Sequence, residues 1–206
     1  MFGAWHEWLV WLASMLCAGA AVKLMDDYLD ADFDKCRGVR TLAVRFGRAT
    51  LPYAVALGLI GAAIDVHLAV AVFFGSYVVG MFSTWRETLP TRVPAYVEMV
   101  VAAAISAAFA GWQLALWGIA MMAVIDWLDD VIDVTSDKQT GQSNLAARLG
   151  VAETLLLVLM ALCTAVLSNA KLTGLGFIAL TVLSVAAELA TTRVWESCDE
   201  DGGMEA

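Results

Sequence analysis

Seven apolar stretches, at roughly 4–25, 49–66, 68–84, 94–111, 112–128, 151–168 and 172–191, follow one another with little between several of them. Asp65-Val66-His67 separates one pair, Gly111 a second and Ser168-Asn169-Ala170-Lys171 a third. A helix that crosses a bilayer needs about 20 apolar residues, and breaks this short leave no room for a domain outside the apolar layer. Hydrophobic residues make up 61% of the chain and the mean hydropathy is +0.75, whereas a soluble domain carries about 45–50% apolar residues. The expectation is an all-α, polytopic membrane bundle of about seven transmembrane helices, with 49–66 and 151–168 the short ones.

Charge sets the sidedness. Acidic stretches begin at Asp26 ("DDYLDADFDK") and at Asp129 ("DDVIDVTSDK"), each directly behind an apolar run. Four spans lie between them, so both face the same compartment. Lys23, Lys35, Arg37, Arg40, Arg45, Arg48, Arg86, Arg92, Lys138, Arg148 and Arg193 fall on that side and only Lys171 on the other. Short cytoplasmic loops collect Lys and Arg, which places the acidic face in the cytoplasm of a cell-membrane protein. No basic region precedes the first apolar stretch and no small-residue cleavage site follows it, so it reads as a retained helix. Residues 1–193 are expected to form one transmembrane domain and 194–206 an acidic disordered tail.

Cys17, Cys36, Cys163 and Cys198 show no paired spacing, and His6 and His67 stand far apart, so no disulfide or zinc framework is expected. The net charge of −9 argues against a nucleic-acid partner.

The two acidic stretches are copies. At an offset of 103, residues 26–47 match 129–150 at Asp26/Asp129, Asp27/Asp130, Asp30/Asp133, Asp34/Asp137, Lys35/Lys138, Gly38/Gly141, Leu42/Leu145, Ala43/Ala146, Arg45/Arg148 and Gly47/Gly150. Two repeated halves, about 4–84 and 112–191, with 94–111 as the joint, account for this. On a helix Asp26, Asp27, Asp30 and Asp34 share one face while Asp32 points away. Asp129, Asp130, Asp133 and Asp137 repeat that face, and Asp126 extends it one turn toward the apolar layer, where the first half has Lys23.

Like charges on one helical face repel unless something positive binds. Oxygen ligands without His or Cys select magnesium, manganese or calcium. The bases that trail each array, Lys35, Arg37, Arg40 and Arg45, then Lys138 and Arg148, with Arg86 between the halves, suit an anion. Acids for metal beside bases for an anion describe a metal–diphosphate site. The plainer alternative, solvated loops with bases anchoring the helices, accounts for one such stretch more easily than for two in register.

These residues resemble the UbiA superfamily of intramembrane prenyltransferases. Its first motif, (N/D)DxxDxxxD, is matched by "DDYLDADFD" at Asp26, Asp27, Asp30 and Asp34. Its second is matched by Asp130, Asp133, Asp137, Lys138, Gly141 and "LAARLG". Arg40-Thr41-Leu42 resembles the family's Arg-Pro-Leu with Thr in place of Pro, and "FSTWRETLP" resembles its loop between the fourth and fifth helices.

The resemblance implies two magnesium ions, with manganese a substitute, held by Asp26, Asp27, Asp30 and Asp34 with Asp130, Asp133 and Asp137. Asp27, Asp30, Asp130 and Asp133 would be the catalytic core of that set. Lys35, Arg40, Arg45, Arg86, Lys138 and Arg148 would bind the diphosphate of a polyprenyl donor. The prenyl group would pass to a lipophilic, aromatic acceptor within the membrane, with release of pyrophosphate.

Tyr28, Tyr53, Phe82, Trp85 and Trp127 are the aromatics near that face, and each reads first as a membrane-interface or packing residue. Typical members of the family have nine spans and this chain reads as seven, so a second copy or a partner subunit is expected to complete the bundle. Two other classes also use paired carboxylates in a membrane: a divalent-cation transporter and a non-catalytic subunit that binds isoprenoid diphosphate.

Overall fold

A computed structural model describes residues 2–38, 40–141 and 143–202. Nine α-helices occur among them, with no strand. They are α1 Phe2–Leu29, α2 Ala31–Arg37, α3 Leu42–Phe46, α4 Thr50–Ile64, α5 Val66–Gly80, α6 Ala95–Ala110, α7 Trp112–Thr140, α8 Leu145–Leu149 and α9 Val151–Gly202. All seven apolar stretches lie largely on helices. Among the described residues three helical segments are long and apolar enough to cross a bilayer, Trp5–Leu29, Leu42–Ile64 and Val151–Thr192, whereas Val66–Gly80 and Ala95–Ala110 are apolar but shorter.

Outward faces are apolar. Leu59, Val100, Phe109, Leu156 and Leu167 are among many large hydrophobic side chains left open, Leu167 at 86% exposure. The interior is built from smaller residues: Ala18, Ala21, Ala54, Ala71, Ala102, Ala120, Ala161 and Ala165 are all buried. Helices that are hydrophobic all round belong in lipid, and small residues between them let backbones approach. The tightest crossing is α5 on α7. A Cβ at Gly118 would lie 2.3 Å from the Ala71 carbonyl oxygen, and one at Gly75 would lie 2.7 Å from the Gly118 backbone.

Buried polar groups tie the helices together inside this core. Ser14 on α1 shares its one hydroxyl hydrogen between the carbonyls of Gly61 (3.1 Å) and Asp65 (3.2 Å). Trp117 on α7, at 1% exposure, donates its indole N–H to Thr173 on α9 (3.0 Å). Each bond satisfies a donor that would otherwise be costly to bury.

At one end the chain reverses within one to three residues. Asp65 is extended (φ −150°) and its carboxylate accepts from the Leu68 N–H at 3.0 Å, capping α5. Gly111, at φ 84°, joins α6 to α7. Asn169 is likewise extended (φ −162°), breaks α9 into two limbs and caps the second through the Leu172 N–H at 3.0 Å. His67 Nδ1 lies 2.7 Å from the Phe109 carbonyl, and Gln113 donates to the Ser168 carbonyl at 3.0 Å. All three reversals line one cavity of about 510 Å³ with Trp11 and Trp112.

The acidic stretches occupy the other end. There the turn after α5 is stitched to the turn after α7 by a Ser143–Ser83 hydrogen bond of 3.0 Å. Helix α9 continues to Gly202 and takes in most of the acidic segment expected to be disordered. Between Val194 and Asp201 no glycine or proline interrupts it, and residues 203–206 lie outside the described residues.

Candidate functional site

The two acidic stretches are presented differently. Helix α7 runs unbroken from Trp112 to Thr140 through Asp126, Asp129, Asp130, Asp133 and Asp137. The first stretch bends: α1 ends at Leu29, Asp30 stands at φ −88°, ψ −1°, and α2 follows. The helical bonding pattern nevertheless carries through, since the Asp30 N–H reaches the Asp26 carbonyl and the Asp34 N–H the Asp30 carbonyl. Asp26, Asp27, Asp30 and Asp34 therefore stay on one side, and Asp32 points away to pair with Lys35 at 3.3 Å.

Behind each stretch comes the same local structure, displaced by 103 residues. Gly38 (φ 70°, ψ 20°) and Gly141 (φ 78°, ψ 13°) both adopt the left-handed conformation that ends a helix and that a side chain would disfavour. Thr41 then caps α3 by accepting from Val44, and Asn144 caps α8 by accepting from Ala147. Gly47 and Gly150, again at positive φ, close the two short helices.

The chain brings the two arrays together. Asp126 and Asp129 on α7 lie within electrostatic reach of Asp26, Asp27 and Asp30. Lys23 sits between them and pairs with Asp27 at 3.3 Å.

Two carboxylates of the second stretch are held by the turn that follows it. Asp130 Oδ2 accepts from the Leu145 N–H at 2.8 Å, and Asp137, buried, accepts from the Asn144 amide at 2.8 Å. Beyond the apolar part of α7, loss of water pushes the Asp130 carboxyl up to about 6, with the Leu145 N–H opposing and Asp137 adding to the rise. Asp129 is raised too. It keeps an open edge, yet the surrounding protein displaces enough water to disfavour its charge, and Asp133 one turn on adds repulsion.

Among the bases, Arg40, Arg45, Arg86, Lys138 and Arg148 are all exposed near this end. The Arg86 guanidinium rests over the Trp85 ring, 4.4 Å from its centre. Trp127 on α7 packs on Phe82 at 5.2 Å between centroids, which sets the Arg86 turn against the second array. Tyr53 instead packs on Phe46 at 5.8 Å, on α3 and α4. The side chain of Arg37 lies outside the described residues.

Among the described residues no group of three carboxylates, histidines or cysteines is placed so as to hold a metal ion. The donor set is nonetheless all hard oxygen, contributed by two facing elements with one lysine between them, and that chemistry fits a hydrated divalent ion such as magnesium, which keeps several waters.

Sequence reading placed Asp26, Asp27, Asp30, Asp34, Asp130, Asp133 and Asp137 in the metal set. That set excludes Asp126 and Asp129, which the structure shows to be the α7 carboxylates within reach of the first array. Asn144 was missed. Its one signal was its position, 103 residues beyond Thr41. Comparison of the chain with family models, with curated proteins and with solved structures finds no match.

Proposed function

We propose that this protein is a magnesium-dependent intramembrane prenyltransferase of the UbiA type, built as seven spans in two repeated halves with both Asp arrays on the cytoplasmic side. The observation that carries the reading is the meeting, at one end of an apolar helical bundle, of two equally spaced aspartate arrays followed by matching basic turns.

In this reading Asp26, Asp27, Asp30 and Asp34 would hold metal with Asp130, Asp133 and Asp137. Bound magnesium would neutralise charge on the diphosphate and so ease its departure. Arg40, Arg45, Arg86, Lys138 and Arg148 bind diphosphate oxygens from the rim, and Lys35 joins them by releasing Asp32. As the allylic C–O bond breaks, the bonding pair leaves with pyrophosphate, and these cations stabilise the charge that develops there. The Phe82–Trp127 pair shields the allylic carbon from water and offers ring faces to its positive charge. The lipophilic acceptor then attacks that carbon and loses a proton. A second copy or a partner subunit completes the wall of the acceptor pocket.

The test is pyrophosphate release from geranylgeranyl diphosphate by the purified full chain in native lipid extract. Release should require magnesium and fall at least a hundredfold in Asp30→Ala and Asp133→Ala, about what removing one such electrostatic group costs. Magnesium-dependent binding without release in any lipid extract would favour a diphosphate-binding subunit. No binding at all would remove the prenyltransferase reading and favour cation transport, for which Asp126, set one turn deeper, is the best-placed carboxylate.

A further inference from the structure

Asn144 is buried at 1% exposure, and every polar atom of its side chain is engaged. Its amide nitrogen donates both hydrogens, one to Asp137 Oδ2 at 2.8 Å and one to the main-chain carbonyl of Asp130 at 2.7 Å. Its oxygen accepts from the Ala147 N–H at 2.8 Å and caps α8. The next residue continues the grip, the Leu145 N–H donating to Asp130 Oδ2 at 2.8 Å. Two adjacent residues thus fasten two carboxylates that lie seven positions, close to two helical turns, apart on α7.

The cap alone does not require an asparagine. Thr41 stands at the equivalent place in the first half and caps α3 with a hydroxyl at 3.2 Å. What asparagine adds is an amide that can accept with one end while donating twice with the other. Removing that donor takes a charge-assisted hydrogen bond from a buried carboxylate.

We propose that Asn144 is a positioning residue for the second Asp array: by donating to Asp137 and to the Asp130 backbone, it fixes the carboxylates of α7 in the orientation in which they meet a divalent ion. This rests on the reading of the arrays as a metal site. Partners that orient ligating carboxylates from behind typically carry ten- to a hundredfold in metal affinity.

Asn144→Thr separates this role from simple stabilisation, because threonine retains an oxygen that caps Ala147, as Thr41 does for Val44, but has no amide to reach Asp137. The probe is manganese, followed by electron paramagnetic resonance on the full chain in lipid nanodiscs, with the thermal midpoint recorded on the same samples. The expected result is a manganese dissociation constant weakened roughly tenfold or more in a variant that still unfolds cooperatively, its midpoint lowered by the two lost amide hydrogen bonds. Asn144→Ser, which keeps the cap without β-branching, should behave alike and serves if the threonine variant does not fold.

Parent-like manganese affinity in either folded variant overturns the proposal while leaving the metal site standing. Failure of the unaltered protein to bind manganese overturns the metal site itself, and the proposal with it.

Discussion

Asp130 illustrates how an ordinary residue acquires an unusual titration. Its carboxyl is pushed up to about 6 by loss of water and by Asp137, so between pH about 4 and about 6 the folded protein keeps a proton that an unfolded chain has released. The stability gained by that proton is present at low pH and lost as pH rises through 6. Metal-free protein should therefore melt higher at pH 5 than at pH 7.5, and Asp130→Asn should narrow the gap in a calorimetric scan. Added magnesium should stabilise more at pH 7.5 than at pH 5, since it must displace the proton to bind. The carboxylates themselves were legible in the sequence from spacing alone. Which of them are tied by protein donors was not, because the Leu145 N–H and the Asn144 amide reach Asp130 and Asp137 only after the chain turns at Gly141.

At the level of elements, the apolar runs announce the long helices, and Gly111 and the short stretches 65–67 and 168–171 are legible as breaks, within which the structure singles out Asp65 and Asn169. The short helices α3 and α8 were not, since five residues such as "LAVRF" and "LAARL" carry too little periodicity to distinguish a helix from a loop. Their caps at Thr41 and Asn144 supply what periodicity cannot. Helix packing was equally hidden, because one small residue in an apolar run looks like another. The structure separates them. Gly118→Ala should cost about 1–3 kcal/mol by forcing α5 and α7 apart at Ala71. Gly174→Ala, with nothing within 4 Å of its added carbon, should be neutral or gain up to about 1 kcal/mol from helix propensity. Reversible unfolding in mixed micelles measures both.

For the whole molecule, the charge asymmetry read from the sequence is expected to fix orientation, and the fold places its two poles at opposite ends. With Cys17, Cys163 and Cys198 changed to Ser, Cys36 should react with a membrane-impermeant maleimide only from the cytoplasmic side. A cysteine introduced as His67→Cys should react only from the other. The two ends also differ mechanically. Asp65, Gly111 and Asn169 bind the helices within one to three residues and share a cavity wall, whereas the connections at the carboxylate end run through short helices and a fourteen-residue turn at 81–94. That arrangement sets a closely tied end opposite a rim joined by longer connections. Displacement in a lever grows with distance from its pivot, so any spreading of the bundle should be smallest at Asn169 and largest among the aspartates.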